Sequence, residues 1–248
     1  MFKNLIFTYF VLTNSLLASD ILIAVAANVS YAIDDLKKEF NKNNPDINVK
    51  VILGSSGKLT AQIHNGAPYE LFMSANMQYP QKLYKDGLTT SIPVVYAKGA
   101  LSIFSIKKRN FNAGINILED NNIVKIAIAN PKTAPYGKAT LKVFQNTNIY
   151  DKIEKKLIYA ESISQTISYT IIAADIGIIA KSALFGKHMS KYKKGINFID
   201  IDTKLYTPIE QGIVMLKTSQ NKADTKLFYE FILSNKAKSI LKKYGYII

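Results

Sequence analysis

The chain has 248 residues, of which 48% are hydrophobic, enough apolar material for one large core or two small ones. It contains no cysteine, which excludes disulfides, thiolate metal sites and cysteine nucleophiles. The formal net charge is +14, but the 32 lysines and arginines are dispersed, so we expect a solvated basic surface and no nucleic-acid binding.

The N-terminal segment, residues 1–19, has the pattern of a secretory signal peptide. Lys3 precedes an apolar run over residues 5–17, and small residues follow it. The run is too short to span a bilayer, and it lacks the following cysteine that a lipid anchor would need. We therefore expect the mature chain to begin at residue 20 or 21 and to be free in an exported compartment, most simply a bacterial periplasm.

Beyond this segment, short apolar runs alternate with amphipathic helical stretches, which predicts a mostly parallel α/β sheet. The first strand is predicted at residues 21–26, and the helix after it carries Ala32, Leu36 and Phe40 at helical spacing. Further strands are predicted at residues 49–53, 71–74, 101–104, 126–129, 176–180 and 213–216, and a closing helix at about residues 223–243.

Two junctions between a predicted strand and a predicted helix have the composition of an anion site. They are Ala26-Ala27-Asn28-Val29-Ser30 and Gly54-Ser55-Ser56-Gly57-Lys58-Leu59. A helix N-terminus offers unpaired backbone N–H groups and the positive end of the helix dipole, and small residues let a ligand approach. Because ligands collect at the carboxyl ends of strands in such sheets, we expect one site between the two junctions.

Other chemistries fit these residues less well. The second junction differs from a nucleotide-binding P-loop because two residues, not four, separate its glycines and Leu59 follows the lysine. His64 and His188 lack metal-ligand spacing, and no base can be identified for Ser55 or Ser56 as a nucleophile. We therefore do not expect this protein to be an enzyme. An exported hydrolase and an interaction protein of the cell envelope remain the alternative classes.

A series of short segments follows in order along nearly the whole mature chain, and together they resemble the ModA family, the molybdate-binding proteins of bacterial ABC importers. The segments are Ala26-Ala27-Asn28, Gly54-Ser55-Ser56-Gly57-Lys58-Leu59, Gln62-Ile63, Gly66-Ala67-Pro68, Glu70-Leu71-Phe72-Met73-Ser74-Ala75, Ala129-Asn130-Pro131, Ala134-Pro135-Tyr136-Gly137, Glu161-Ser162-Ile163-Ser164-Gln165, Asp175-Ile176-Gly177-Ile178, Pro208-Ile209-Glu210-Gln211-Gly212 and Lys243-Tyr244-Gly245-Tyr246.

The resemblance implies an α/β fold of the type II periplasmic binding protein class, with two lobes that the chain crosses twice and a ligand cleft between them. On this reading residues 20–96 and 208–248 form lobe I, and residues 97–207 form lobe II. The implied function is capture of molybdate, and of tungstate too, by lobe closure, followed by delivery to an ABC permease in the inner membrane. We expect a monomer without a cofactor.

The resemblance also implies the oxyanion ligands. Asn28 and Ser56 would bind from lobe I through side chain and backbone N–H, Tyr136 through its hydroxyl or N–H, and Ile163 through its N–H alone. The metal would be held only as its oxyanion, without direct protein ligands. Some members carry a tyrosine where this chain has Ala180, and an alanine at the position of Tyr136, so one phenol is expected to replace the other.

Neutral donors suit a tetrahedral dianion. Phosphate retains a proton near neutral pH and needs an acceptor, whereas no implied ligand position carries a carboxylate. Sulfate has the same charge as molybdate and differs in size, so a binding protein for another tetrahedral oxyanion such as sulfate remains the alternative within this class. Tungstate is nearly isosteric with molybdate and is not separated from it by this reasoning.

Overall fold

The computed structural model describes residues 19–220 and 222–248. Residues 1–18 of the predicted signal peptide lie outside the described residues, and Ser19 begins the first strand. The strands form two five-stranded sheets with helices packed against them. This arrangement confirms the predicted α/β fold. Within the described residues, no helix has the length and apolar character needed to cross a membrane.

The first sheet combines parallel and antiparallel pairing, as does the second, so the prediction of a mostly parallel sheet is wrong. Its strands are β1 (Ser19–Ala26), β2 (Ile47–Gly54), β3 (Leu71–Ser74), β4 (Val94–Gly99) and β10 (Ile209–Met215). Their order is β2-β1-β3-β10-β4. Strand β1 runs parallel to β2 and β3, whereas β10 is antiparallel to β3 and β4. The last strand of the chain thus returns into the sheet that the first strands built.

The second sheet repeats this mixed pattern. Its strands are β5 (Leu101–Phe104), β6 (Ile126–Ala129), β7 (Leu157–Ala160), β8 (Ile176–Ala180) and β9 (Phe198–Asp200). Their order is β7-β6-β8-β5-β9. Strand β6 is parallel to β7 and β8, and β5 is antiparallel to β8 and β9.

The chain passes between the sheets twice. Only Ala100 separates β4 from β5, and the return lies between β9 and β10. The predicted division between residues 96 and 97 falls inside β4, which stays paired with β10 as far as Gly99. Below, the first unit denotes residues 19–99, 209–220 and 222–248, and the second unit residues 101–208.

Eight α-helices are found among the described residues. The predicted closing helix is wrong in one respect, because it is two helices rather than one. Ser234 between them has extended backbone angles, φ −72° and ψ 160°, and its Oγ accepts from the N–H of Ala237 at 3.3 Å. The helices are α1 (Ile33–Asn41), α2 (Ser56–His64), α3 (Gln78–Lys85), α4 (Pro135–Asn146), α5 (Tyr150–Ile153), α6 (Ile163–Ile172), α7 (Ala223–Leu233) and α8 (Asn235–Lys243).

Each unit has its own apolar core, which holds the strand ends in place. Strands β3, β6 and β8 are buried along their whole length, as expected for strands covered on both faces. In the first unit, Phe40 of α1 meets Phe228 of α7 edge to face with ring centroids 5.0 Å apart. Because these cores fix the strands, the loops at the carboxyl ends have defined positions.

Candidate functional site

A small cavity lies between the two units. Its volume is about 10 Å³, roughly the space of one water molecule. Among the residues that the structure describes, none lining this cavity has a charged side chain. The lining residues are Ala26, Ala27, Asn28, Gly54, Ser55, Ser56, Ala75, Ala134, Pro135, Tyr136 and Ile163.

The N-termini of three helices converge on this cavity. Ser56 is the first residue of α2, Tyr136 the second residue of α4, and Ile163 the first residue of α6. The N–H groups at these positions have no acceptor within their own helix. Three helix dipoles therefore direct positive potential at one point, and an anion can be held there without a cationic side chain.

The local sequence places these N-termini. Pro135 is the first residue of α4, where its missing N–H costs nothing and its fixed φ suits the helix, so Tyr136 provides the first free N–H. Ser162 precedes α6 in an extended conformation, and its Oγ accepts from the N–H of Gln165 at 3.4 Å. The cap thus starts α6 at Ile163.

Ser56 has a hydroxyl hydrogen available toward the cavity. Its Oγ accepts from the backbone N–H of Ala75 at 2.9 Å, and the residue is 1% exposed. An oxygen that already accepts still has its own hydrogen to donate. Ser56 therefore combines a hydroxyl donor with the N–H of the α2 N-terminus.

Asn28 is oriented by two partners from distant parts of the first unit. Nε2 of Gln211 donates to the carbonyl oxygen of Ile209 at 2.9 Å. Oε1 of Gln211 therefore faces Asn28 and accepts a hydrogen bond from Nδ2 of Asn28 at 2.8 Å. The same Nδ2 donates to the hydroxyl of Tyr246 at 2.8 Å, and that hydroxyl donates to the backbone oxygen of Asn28 at 2.9 Å. Both amide hydrogens of Asn28 are thus committed.

The other side-chain atom of Asn28 is unusual. Its Oδ1 is buried and has no hydrogen-bond partner among the described residues. A buried polar atom without a partner is costly, by about 1–3 kcal/mol. It marks this position as one where stability is not the sole determinant of the residue type.

Tyr136 lies across the cavity with its ring buried and its hydroxyl against Gly99. A Cβ at Gly99 would overlap that hydroxyl and would approach Nε2 of Gln211 to 3.0 Å, so the absence of a side chain there makes room for the phenol. Burial, and then the hydroxyls of Tyr246 and Tyr96, raise the pKa of Tyr136 well above its usual value, against the lowering effect of Asn28. Tyr136 is therefore a neutral donor near neutral pH.

Direct hydrogen bonds join the two units on either side of the cavity. On one side the N–H of Gly57 donates to the carbonyl oxygen of Thr133 at 2.9 Å. Nearby, Ser55 Oγ donates to Glu161 Oε1, also at 2.9 Å. On the other side, Ser164 Oγ donates to the carbonyl oxygen of Ala27 at 2.6 Å, and Ser182 Oγ to that of Asn28 at 2.9 Å. The units are in a closed arrangement.

The cavity in this closed arrangement has room for about one water molecule. A larger ligand could enter only if the two walls, which belong to different units, moved apart. Strands β4 and β5 are joined by a single residue, and the second connection spans residues 201–208. Two connections of this kind allow the units to separate as bodies while each core stays intact.

Larger hollows lie elsewhere on the surface. One of about 670 Å³ in the first unit is lined by Lys217, Lys222 and Lys226, among other residues. Lys222 pairs with Glu70 at 2.9 Å and Lys226 with Glu230 at 3.8 Å. Two of the three lysines in this hollow are thus paired with carboxylates, and the hollow is a solvated surface.

Comparison with known proteins places the chain in a family. The family model described as bacterial extracellular solute-binding protein matches residues 21–247. The molybdate-binding protein ModA of Rhodobacter capsulatus is 32% identical over 232 residues, covering 93% of this chain and 89% of the relative. The chain belongs to the ModA family.

Two further comparisons agree with membership of the ModA family. The structure of the Azotobacter vinelandii periplasmic molybdate-binding protein superposes with a TM-score of 0.84 at 32% identity, covering 92% of this chain and 99% of that one. A putative ABC transporter substrate-binding lipoprotein of Bacillus subtilis (strain 168) is 25% identical, over 90% of this chain and 85% of its own. These relatives are solute-binding proteins, which confirms the prediction that this member of the ModA family is not an enzyme.

The structure brings all four predicted ligand residues to one cavity: Asn28, Ser56, Tyr136 and Ile163. Their roles as oxyanion ligands stay predictions. Ala180, the other position considered for a phenol, is a buried residue at the end of β8.

Sequence reasoning missed the residues that support the site in this ModA family member. Gln211 and Tyr246 orient Asn28, and Ser164 and Ser182 contact its turn. Both Gln211 and Tyr246 lie in segments that carry the family resemblance, so their positions were visible although their contacts were not.

Proposed function

We propose that this protein captures molybdate, and tungstate as well, between its two units and delivers it to an ABC permease. The observation that carries the proposal is the convergence of three helix N-termini on a cavity lined by uncharged residues. The names of the relatives at 32% identity supply the identity of the oxyanion.

We infer that the ligands are four residues, two from each unit. Ser56 donates through its N–H and hydroxyl, and Tyr136 and Ile163 through their N–H groups. Asn28 donates through its backbone N–H, because Gln211 and Tyr246 occupy both of its amide hydrogens. Hydrogen bonds to a charged group contribute about 1.5–3 kcal/mol each, and nanomolar affinity needs about 12 kcal/mol. A small set of preorganised donors is therefore sufficient.

Closure of the two units over the oxyanion is the proposed mechanism of capture. The units act as the two lobes, and the hydrogen bonds from Gly57 to Thr133 and from Ser164 to Ala27 form as they meet. An anion that binds both walls favours the closed state by its differential affinity. A permease that recognises both lobes together would then receive loaded protein in preference to empty protein.

The proposed setting is the periplasm. The signal-like segment at residues 1–19 and the similarity to the periplasmic molybdate-binding protein of Azotobacter vinelandii support it. We propose that the protein acts there as a monomer, since each of the four ligands comes from the same chain.

Calorimetric titration with molybdate, tungstate, sulfate and phosphate, in separate runs on protein dialysed free of anion, tests the proposal. We expect tight one-to-one binding of molybdate and tungstate and a weak response to sulfate. Preference for sulfate would assign the protein to another oxyanion, and no binding of any of the four would overturn the proposal. The phosphate run has a further use, because Oδ1 of Asn28 is an acceptor that a protonated anion could use.

A further inference from the structure

Ser164 makes a contact that the proposed ligand set does not include. It is the second residue of α6, in the second unit, and its Oγ donates to the carbonyl oxygen of Ala27 in the first unit at 2.6 Å. The two residues are 137 positions apart in the chain. This bond therefore exists only when the two units are together.

The carbonyl that Ser164 contacts belongs to the same peptide group as the N–H of Asn28. No cis peptide occurs among the described residues, so this C=O and N–H point in opposite directions. A donor on the oxygen fixes the rotation of the peptide plane and polarises the N–H on its other side. The contact at Ala27 thus acts on the hydrogen-bond donor of Asn28.

The neighbouring hydroxyl groups leave the hydrogen of Ser164 free to bind the carbonyl oxygen of Ala27. Ser30 Oγ lies 3.3 Å from Ser164 Oγ. Because Ser164 gives its one hydrogen to Ala27, Ser30 is the donor in this pair. Burial raises the pKa of the adjacent Tyr31 to about 12, so its hydroxyl stays neutral.

We propose that Ser164 is a positioning residue for oxyanion binding: on closure its hydroxyl orients and polarises the Ala27–Asn28 peptide, so that the N–H of Asn28 binds the anion more strongly. This inference rests on the proposed function, because it assigns that N–H to the oxyanion. In this way Ser164 of the second unit strengthens the N–H donor of Asn28, which belongs to the first unit.

The test compares Ser164→Ala with Ser190→Ala in the full exported protein. Ser190 also lies in the second unit but bonds locally, to the carbonyl oxygen of Lys187. With molybdate as the probe, stopped-flow binding should show dissociation about tenfold faster in Ser164→Ala, the equivalent of one hydrogen bond, with the association rate unchanged. Ser190→Ala should match the wild type.

An isosteric pair covers the case in which Ser164→Ala folds poorly. Ser164→Thr keeps the hydroxyl and Ser164→Val replaces it with a methyl of similar size, so their difference reports the hydroxyl alone. We expect the threonine variant to bind within about threefold of the wild type and the valine variant to follow the alanine variant. Equal affinity of the threonine and valine variants would overturn the inference.

A spectroscopic readout separates positioning from general support of closure. In ¹H–¹⁵N spectra, addition of molybdate should shift the amide of Asn28 downfield, and the shift should shrink in Ser164→Ala while that of Tyr136 persists. If wild-type protein binds no molybdate, the proposed function fails. If it binds and Ser164→Ala behaves as Ser190→Ala does, the inference alone is overturned.

Discussion

The backbone N–H of Gly57 donates to the carbonyl oxygen of Thr133 at 2.9 Å, and this bond joins the first turn of α2 to the second unit. A Cβ at Gly57 would approach that oxygen to 2.9 Å and the hydroxyl of Tyr79 to 2.8 Å. Glycine at this position therefore sets how closely the two units approach beside the cavity.

Gly57→Ala should weaken molybdate binding by about tenfold while leaving the unbound protein as stable or slightly more stable. The added methyl holds the units apart, whereas alanine inside a helix gains about 0.5–1 kcal/mol over glycine. Calorimetry and thermal unfolding measure the two effects. Lys58→Ala, at the neighbouring exposed position, is the matched control. Wild-type affinity in Gly57→Ala would contradict this account of closure.

Gly99 and Tyr136 should be energetically coupled. Gly99→Ala places a methyl where the Tyr136 hydroxyl lies, and overpacking of this kind costs about 1–3 kcal/mol. The double variant with Tyr136→Phe lacks the hydroxyl, so it should regain part of the stability that Gly99→Ala loses. It should not regain all of it, because the added Cβ would still lie 2.9 Å from the Cζ position of the ring. Urea unfolding of the four proteins in the cycle gives the coupling. Strict additivity would show that the two groups do not meet.

Tyr246→Phe should destabilise the protein by about 1–3 kcal/mol and loosen molybdate binding. The variant removes the acceptor for Nδ2 of Asn28 and leaves a buried donor without a partner. Tyr244→Phe is the control, since its hydroxyl donates at the surface to Asp35 at 2.9 Å. We expect a change below about 0.5 kcal/mol for that variant. The same loss in both variants would argue against a specific role for Tyr246.

Ile163→Pro should weaken molybdate binding by tenfold or more with little loss of stability. Proline removes the N–H, and it is well tolerated at the first position of a helix. Ser162 before it already has extended angles, φ −136° and ψ 164°, as a residue preceding proline requires. Ile163→Val keeps the N–H and should bind as the wild type does. Equal affinities of the two variants would exclude the backbone contact.

Stability should fall steeply in alkali because buried tyrosines resist ionisation. Burial raises the pKa of Tyr31 to about 12, whereas an unfolded tyrosine ionises near 10. Between pH 10 and pH 12 the folded state keeps the Tyr31 proton, whereas the unfolded state loses it. The contribution of Tyr31 to the free energy of unfolding is therefore constant below pH 10 and decreases as pH rises toward 12. The decrease from Tyr31 alone is on the order of 3 kcal/mol.

Urea unfolding of the wild type and Tyr31→Phe, followed from about pH 8 to pH 12, measures that contribution. The phenylalanine variant should lose less stability over the alkaline interval. Parallel curves for the two proteins would show that Tyr31 ionises as freely in the folded state as in the unfolded one.

Local pattern was enough to predict much of the fold. The runs at residues 71–74, 101–104, 126–129 and 176–180 are strands with those bounds, because a short buried strand needs consecutive apolar residues and the helices that cover it have their own period. Strands β4, β7 and β9 were missed. They are edge strands, and β7 and β9 are mostly half-buried or exposed, although the sequence of β7 is apolar throughout.

The first two junctions of the predicted site were readable from sequence for a similar reason. Small residues precede the start of the helix, and Ser55 before α2 has the extended backbone angles of an N-cap residue, φ −67° and ψ 147°, although its side chain makes no capping hydrogen bond. Tyr136 and Ile163 entered only through the family resemblance, since a lone tyrosine or isoleucine has no distinguishing local signal.

By itself, then, the sequence determined the alternation of strands and helices, because that depends on neighbouring residues, and the absence of thiol chemistry, because that depends on composition alone. The tertiary structure decided which helix ends meet, and it alone directed both amide hydrogens of Asn28 to Gln211 and Tyr246, 183 and 218 positions away. Contacts across such separations depend on how whole sheets pack, so the orientation of Asn28 follows from the assembled units.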